Sequence, residues 1–314
     1  MLRFALKKLY VTVVTLLGVS VLAFVLIRVA PGDTVSAQLG LLYTEERAAA
    51  MRAELGLDRP LVVQYGRWLA DAARGDLGRS FFHDRPVSAV IADRLAVTAQ
   101  LAAMALAFAV VAGLPLGVLA AARRGRWVDG LCSSVGVLGV SVPAFWLATL
   151  LILLFAYVLR VMPSGGYVSP AEDPLANLRH MAMPAVALGS AVAAVVMRMT
   201  RSAMLEVLGA DYVRTARSKG LPPARVTFRH ALRNAMAPIL TILAVQTGYL
   251  LGGSVVIEWV FDLPGLGWAA YRAATNRDYF LLQGVVLFIA AAFIVIHLAL
   301  DLLYAAVDPR IRIG

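Results

Sequence analysis

The chain has 314 residues, 61% of them hydrophobic and 15% charged, with a mean hydropathy of +0.78 and a net charge of +10. Soluble domains carry about 25% charged residues, so the apolar excess must lie in long stretches and the chain reads as an integral membrane protein. A single cysteine, Cys132, and four scattered histidines, His83, His180, His230 and His297, exclude an intrachain disulfide and a zinc framework.

Six uncharged runs approach the roughly 20 residues that cross a bilayer: Leu9–Ile27, Leu95–Ala122, Gly130–Leu159, His180–Met197, Asn234–Ile257 and Tyr279–Leu300. The first follows Arg3, Lys7 and Lys8 as a secretory signal would. It exceeds the about 7–15 residues of a signal core and ends at Arg28-Val29-Ala30-Pro31, so it reads as a retained helix. Six crossings place both termini on one side.

After the first run, residues 31–94 are too long for a connector. Thr44 stands as an N-cap before Glu45-Glu46, Gly56 as a stop, and Asp58 before Pro60 opens a second amphipathic stretch through Trp68 and Leu69. This segment predicts a small helical insert. Between the fourth and fifth runs, Arg198–Arg233 predicts short helices broken at Gly209 and Gly220, with Pro222 and Pro223 starting the next. A cytoplasmic protein is expected to dock there.

Short positive loops stay in the cytoplasm. Termini inside puts 16 basic and four acidic residues on that face, among them Arg123, Arg124, Arg126 and the eight basic residues of 198–233. The other face then carries 13 basic and 14 acidic residues, and Asp301 sits within the last helix. Topology accounts for the whole positive charge, so no nucleic-acid partner is needed.

Several chemistries are missing. A phosphate-cradling GxxxxGK[ST] loop needs a Gly-Lys pair, and the only lysines, Lys7, Lys8 and Lys219, do not follow glycine. There is no HExxH, and Gly139-Val140-Ser141-Val142-Pro143 lacks the second glycine of a nucleophile elbow. Neither catalysis nor a metal or nucleotide cofactor is expected in this chain. Ion-coupled carriers keep charged residues inside their spans, whereas the six runs hold none. His297 and Asp301, four residues apart, could form a proton relay; the favoured reading places Asp301 at the cytoplasmic end, solvated or paired. Gln100, Gln246 and Thr247 could line a pathway or join helices. Pro115, Pro143, Gly248, Gly252 and Gly253 fit kinks and close packing.

The cytoplasmic segment is the most specific. Asp211-Tyr212-Val213-Arg214-Thr215-Ala216-Arg217-Ser218-Lys219-Gly220, followed by Arg229-His230-Ala231-Leu232-Arg233-Asn234-Ala235 and Pro238, resembles the EAA loop of ABC importer permeases. By that likeness Arg214, Thr215 and Ala216 occupy the E-A-A positions and Gly220 is the motif glycine. Arg214 and Thr215 replace the Glu and first Ala, and Arg233 stands where many relatives carry proline, departures usual in the dipeptide/oligopeptide/nickel branch. Leu55-Gly56-Leu57-Asp58-Arg59-Pro60-Leu61 with Gln64-Tyr65 and Trp68, Gly75-Asp76-Leu77-Gly78-Arg79-Ser80, Ser141-Val142-Pro143-Ala144-Phe145-Trp146-Leu147, Pro264-Gly265-Leu266-Gly267, Asn276-Arg277-Asp278-Tyr279 and Asp308-Pro309-Arg310-Ile311-Arg312 are similar to that branch too.

The resemblance implies an all-α permease of the type I ABC importer fold: an N-terminal transmembrane helix at 1–30, an extracytoplasmic helical insert at 31–94, and a five-helix core at 95–305. The coupling loop would be 198–238 and the cytoplasmic tail 306–314. It also implies a homologous second permease, two ATP-binding subunits holding ATP and Mg, and an extracytoplasmic solute-binding protein, in the cytoplasmic (inner) membrane. Asp211, Tyr212, Arg214, Thr215, Ala216, Gly220, Arg229 and Arg233 would face the ATP-binding subunit. Short peptides are the implied substrate, with nickel or a nickel chelate as the alternative within the family and a stand-alone channel or ion-coupled carrier outside it.

Overall fold

A computed structural model describes residues 2–29 and 34–307 of the chain. Helices α1 (Leu2–Val29), α2 (Thr34–Leu39), α3 (Glu45–Glu54) and α4 (Leu61–Ala73) lead to a two-residue ladder of β1 (Arg79–Ser80) with antiparallel β2 (Arg85–Pro86). There follow α5 (Val87–Ala122), α6 (Trp127–Ser141), α7 (Ala144–Leu151), α8 (Pro174–Leu208) and α9 (Asp211–Ser218). The chain ends with α10 (Pro223–Arg225), α11 (Arg233–Val260), α12 (Leu266–Thr275) and α13 (Tyr279–Val307). Two π-helical stretches, Ile152–Val158 and Val226–Leu232, extend α7 and join α10 to α11.

Among the described residues, five helical segments are long and apolar enough to cross a membrane, and six if α6 and the Ala144–Val158 arm count as one bent span. The run Gly130–Leu159 is therefore not a straight helix. It turns by 103° at Val142-Pro143, where proline lacks the N–H a continuing helix would use. Two further boundaries differ from the sequence reading. α5 begins at Val87 rather than Leu95, taking Asp93 and Arg94 into its first turns. α8 runs unbroken to Leu208, past Arg198 and Arg201, so the expected loop loses its first eleven residues to the span.

The chain forms two compact units, residues 1–98 with 264–314, and residues 99–263. In the first, α1 packs against α13 and α4. Phe24 meets Tyr65 edge-on at 5.3 Å, and Ser20 Oγ lies 2.8 Å from the Tyr65 hydroxyl. Gln64 accepts from Arg28 Nε at 3.1 Å and donates to the carbonyls of Leu57 and Arg59. The Gln64, Tyr65 and Trp68 positions thus clamp the insert to α1. Thr44 caps α3 by accepting from the Arg47 N–H, as expected; Pro60, not Asp58, precedes α4.

In the second unit α8 is the centre, contacting α5 through the core that includes Val118, Ala121, Ala203 and Met204, and touching α6, α7 and α11. Asp173 caps it by accepting from the Leu175 and Ala176 N–H groups, both at 2.9 Å, and Pro174 fills the first helical position. Small residues admit its neighbours: a Cβ on Gly113 or Gly117 of α5 would lie 2.5 Å from Ala193 O or Thr200 Cβ.

Candidate functional site

The hairpin between α8 and α11 is built from local signals. α8 stops at Gly209, whose N–H reaches back to the Leu205 and Glu206 carbonyls. α9 then presents two faces: Val213 and Ala216 are buried against Val207, Leu208 and Val226, while Asp211, Tyr212, Arg214, Thr215 and Arg217 are exposed. Its end is a Schellman turn. Gly220 N–H bonds Arg217 O at 2.9 Å, Leu221 N–H bonds Ala216 O at 3.4 Å, and Leu221 folds onto the same apolar cluster. Gly220 takes φ +75°, with nothing within 4 Å of a Cβ added there, so the need for glycine is conformational rather than steric.

The turn leads into Pro222 and then Pro223 at the start of α10. Asn234 Nδ2 donates to the Tyr212 hydroxyl at 3.1 Å and to His230 O, tying α9 to the next helix. Arg229 and Arg233 are exposed on that helix. The structure therefore brings the eight predicted coupling residues onto one hairpin. Ala216 alone among them is buried, acting as an anchor rather than a contact.

At the root of this hairpin lies a pair that sequence reasoning did not single out. Arg201 of α8 donates from Nε and Nη2 to Asp129 of α6 at 2.7 and 2.9 Å, and Gly125 N–H caps the same carboxylate at 3.0 Å. The fork-on-fork geometry fixes α6 on α8.

The predicted pathway residues separate. Gln100 of α5 joins a half-buried network: Tyr167 O–H donates to its Oε1 at 3.0 Å, its Nε2 donates to Asn177 Oδ1, and Asn177 Nδ2 donates to Val168 O at 2.7 Å. Gln246 is half-buried on α11, and Thr247 bonds back to Leu243 O at 3.0 Å. No hydrogen bond joins either of them to Gln100 among the described residues. Gln100 is thus a staple holding the loop before α8. His297 Nδ1–H donates to Phe293 O at 3.1 Å and its ring stacks on Phe293; the Asp301 side chain and the 308–312 motif lie outside the described residues.

A second missed cluster gives two distant motifs a shared purpose. Asp278, 1% exposed, caps α13 by accepting from Leu281 N–H at 3.1 Å, and takes Ser80 O–H at 2.5 Å and Phe82 N–H at 3.2 Å on its other oxygen. His83 Nδ1 lies 3.0 Å from Ser80 Oγ. With the Ser80 proton committed to the carboxylate, His83 is the donor, the reverse of what a nucleophilic serine requires. Burial, then the Arg94 charge, lowers the His83 pKa below its ordinary 6.5, while Asp278 opposes them. Gly78 approaches Phe280 so closely that a Cβ would lie 2.9 Å from its ring. The motifs around Gly75–Ser80 and Asn276–Tyr279 are the two halves of one staple.

Known proteins agree with this architecture. Residues 113–313 match the family of binding-protein-dependent transport system inner membrane components, and residues 1–102 match the N-terminal model of the same transport-system membrane components. A Brucella abortus (strain 2308) protein, named as a peptide transport system permease, is 44% identical over 307 residues, 98% of both chains. The dipeptide transport system permease protein DppB of Alkalihalophilus pseudofirmus is 36% identical over 333 residues, 99% of this chain and all of that one. In fold, a chain of the MetNI methionine ABC transporter in an inward-facing form is similar, with a TM-score of 0.56 and 20% identity over 70% of this chain and 96% of that one. The chain belongs to the family of binding-protein-dependent transport system inner membrane components.

Proposed function

We infer that this chain is one permease subunit of an ATP-driven importer of short peptides in the cytoplasmic membrane. The observation that carries the reading is the α9 hairpin. It is a short helix with one face locked to the ends of α8 and α10 and the other exposed, closed by a glycine turn. Such an element can transmit a push from a bound protein into a bundle that is packed too tightly to deform gradually. Two ATP-binding subunits would hold ATP and Mg and press on Tyr212, Arg214, Thr215, Arg229 and Arg233. A homologous second permease would complete the pathway, and an extracytoplasmic binding protein would deliver the solute. Peptides are favoured over nickel by the names of the relatives similar over nearly the full length.

Purification of the tagged chain from its native membrane in gentle detergent, followed by mass spectrometry, tests this. Recovery of a second permease with ATP-binding subunits is the expected result. Recovery of this chain alone, active in liposomes, would overturn the importer reading in favour of a channel or carrier.

A further inference from the structure

Where α5 ends and α8 passes into α9, a cleft of about 520 Å3 opens. Ala121, Leu205, Leu208, Leu221 and Val226 give it an apolar wall, the rest of its surface is polar, and Arg124 and Arg217 stand at it. Both arginines are exposed. Neither guanidinium makes an ion pair or side-chain hydrogen bond among the described residues, and no acidic side chain lines the cleft. Beside it Arg123 and Arg126 are exposed, and Trp127 is 78% exposed.

Two unpaired guanidiniums above an apolar wall, at the depth where a spanning helix leaves the hydrocarbon, suit one class of ligand. A phosphodiester headgroup satisfies the cations while the upper acyl segments cover the apolar wall, and an interfacial tryptophan marks the level. We propose that the cleft bounded by α5, α8 and α9 is a binding site for an anionic phospholipid, its phosphate held by Arg124 and Arg217. The proposal rests on the inferred topology only for the leaflet, which is the cytoplasmic one. Leu221 and Val226 are shared between the cleft and the cluster that anchors α9. A bound lipid would therefore brace the same wall that carries the coupling helix.

The test uses the full-length chain in phosphatidylcholine nanodiscs doped with phosphatidylglycerol, with retained lipid counted by native mass spectrometry across a doping series. Wild type is expected to retain phosphatidylglycerol selectively. Arg124→Gln with Arg217→Gln should weaken retention about thirty-fold, from about 1 kcal/mol per interfacial charge. The paired Arg→Lys variant should restore most of it, which separates lost binding from lost folding. Equal losses from Arg123→Gln with Arg126→Gln would reduce the effect to diffuse surface attraction and overturn the site. Displacement by millimolar inorganic phosphate would make it a soluble-anion site, and expulsion of the lipid by added ATP-binding subunits would make it a protein contact; either overturns the lipid assignment. Selective retention by a chain that recruits no ATP-binding subunit would leave this site standing and sink the importer reading instead.

Discussion

Asp129 shows how a single charge can change meaning between sequence and structure. In the sequence it is one of four acidic residues among many basic ones on the inferred cytoplasmic face. In the fold it is buried and accepts three hydrogen bonds, two of them from Arg201. Removing one member of such a pair strands the other's charge at low exposure. Arg201→Ala is expected to lower stability by about 2–3 kcal/mol, measured as loss of thermal stability in detergent. Asp129→Asn with Arg201→Gln should cost less than the sum of the single changes; strict additivity would mean that the pair is not coupled. Nothing in the sequence places these residues together, because 72 positions separate them and only the packing of α6 on α8 makes them neighbours. Ser80 and Asp278 were illegible as a pair for the same reason, at a separation of 198.

Among elements, short-range chemistry was legible and long-range termination was not. Thr44, Gly56, Gly209, Gly220 and Pro223 mark helix ends through groups a few residues away, and each stands where it was expected. The charges Arg198 and Arg201 do not end α8, because Arg201 is neutralised by α6 and the helix continues into an apolar contact with α9. The bend of the third run was readable as Pro143, but its angle is a property of tertiary packing. Gly220→Val forces a β-branched side chain into positive φ at a cost of about 1–2 kcal/mol, without a clash. Membrane insertion should be normal, while ATP hydrolysis by the complex no longer drives uptake. Gly220→Asn, which tolerates that conformation, should retain coupling. Uptake by the valine variant at the wild-type rate would remove α9 from the coupling role.

For the whole molecule, six apolar runs are legible in the sequence, against five spanning-length helices, or six with the bent pair, among the described residues; from the distribution of arginine and lysine we propose that both termini face the cytoplasm. With Cys132 replaced, Ala70→Cys on α4 should react with an impermeant maleimide added to the outside of intact cells or spheroplasts. Reaction only after the cytoplasmic face is opened would invert the topology. The chain's parity depends on the bent pair, since five crossings would put the termini on opposite faces and six put them on the same face.

That pair also constrains how the protein enters the membrane during synthesis. Each arm has 15 residues, about 22 Å of helix at 1.5 Å per residue, which falls short of the ~30 Å hydrocarbon layer. Neither arm can be released into lipid by itself. Counted as one crossing, the pair would have to be held by the insertion machinery until both arms have emerged, and Pro143 would then delay the commitment of the growing chain until both halves leave together.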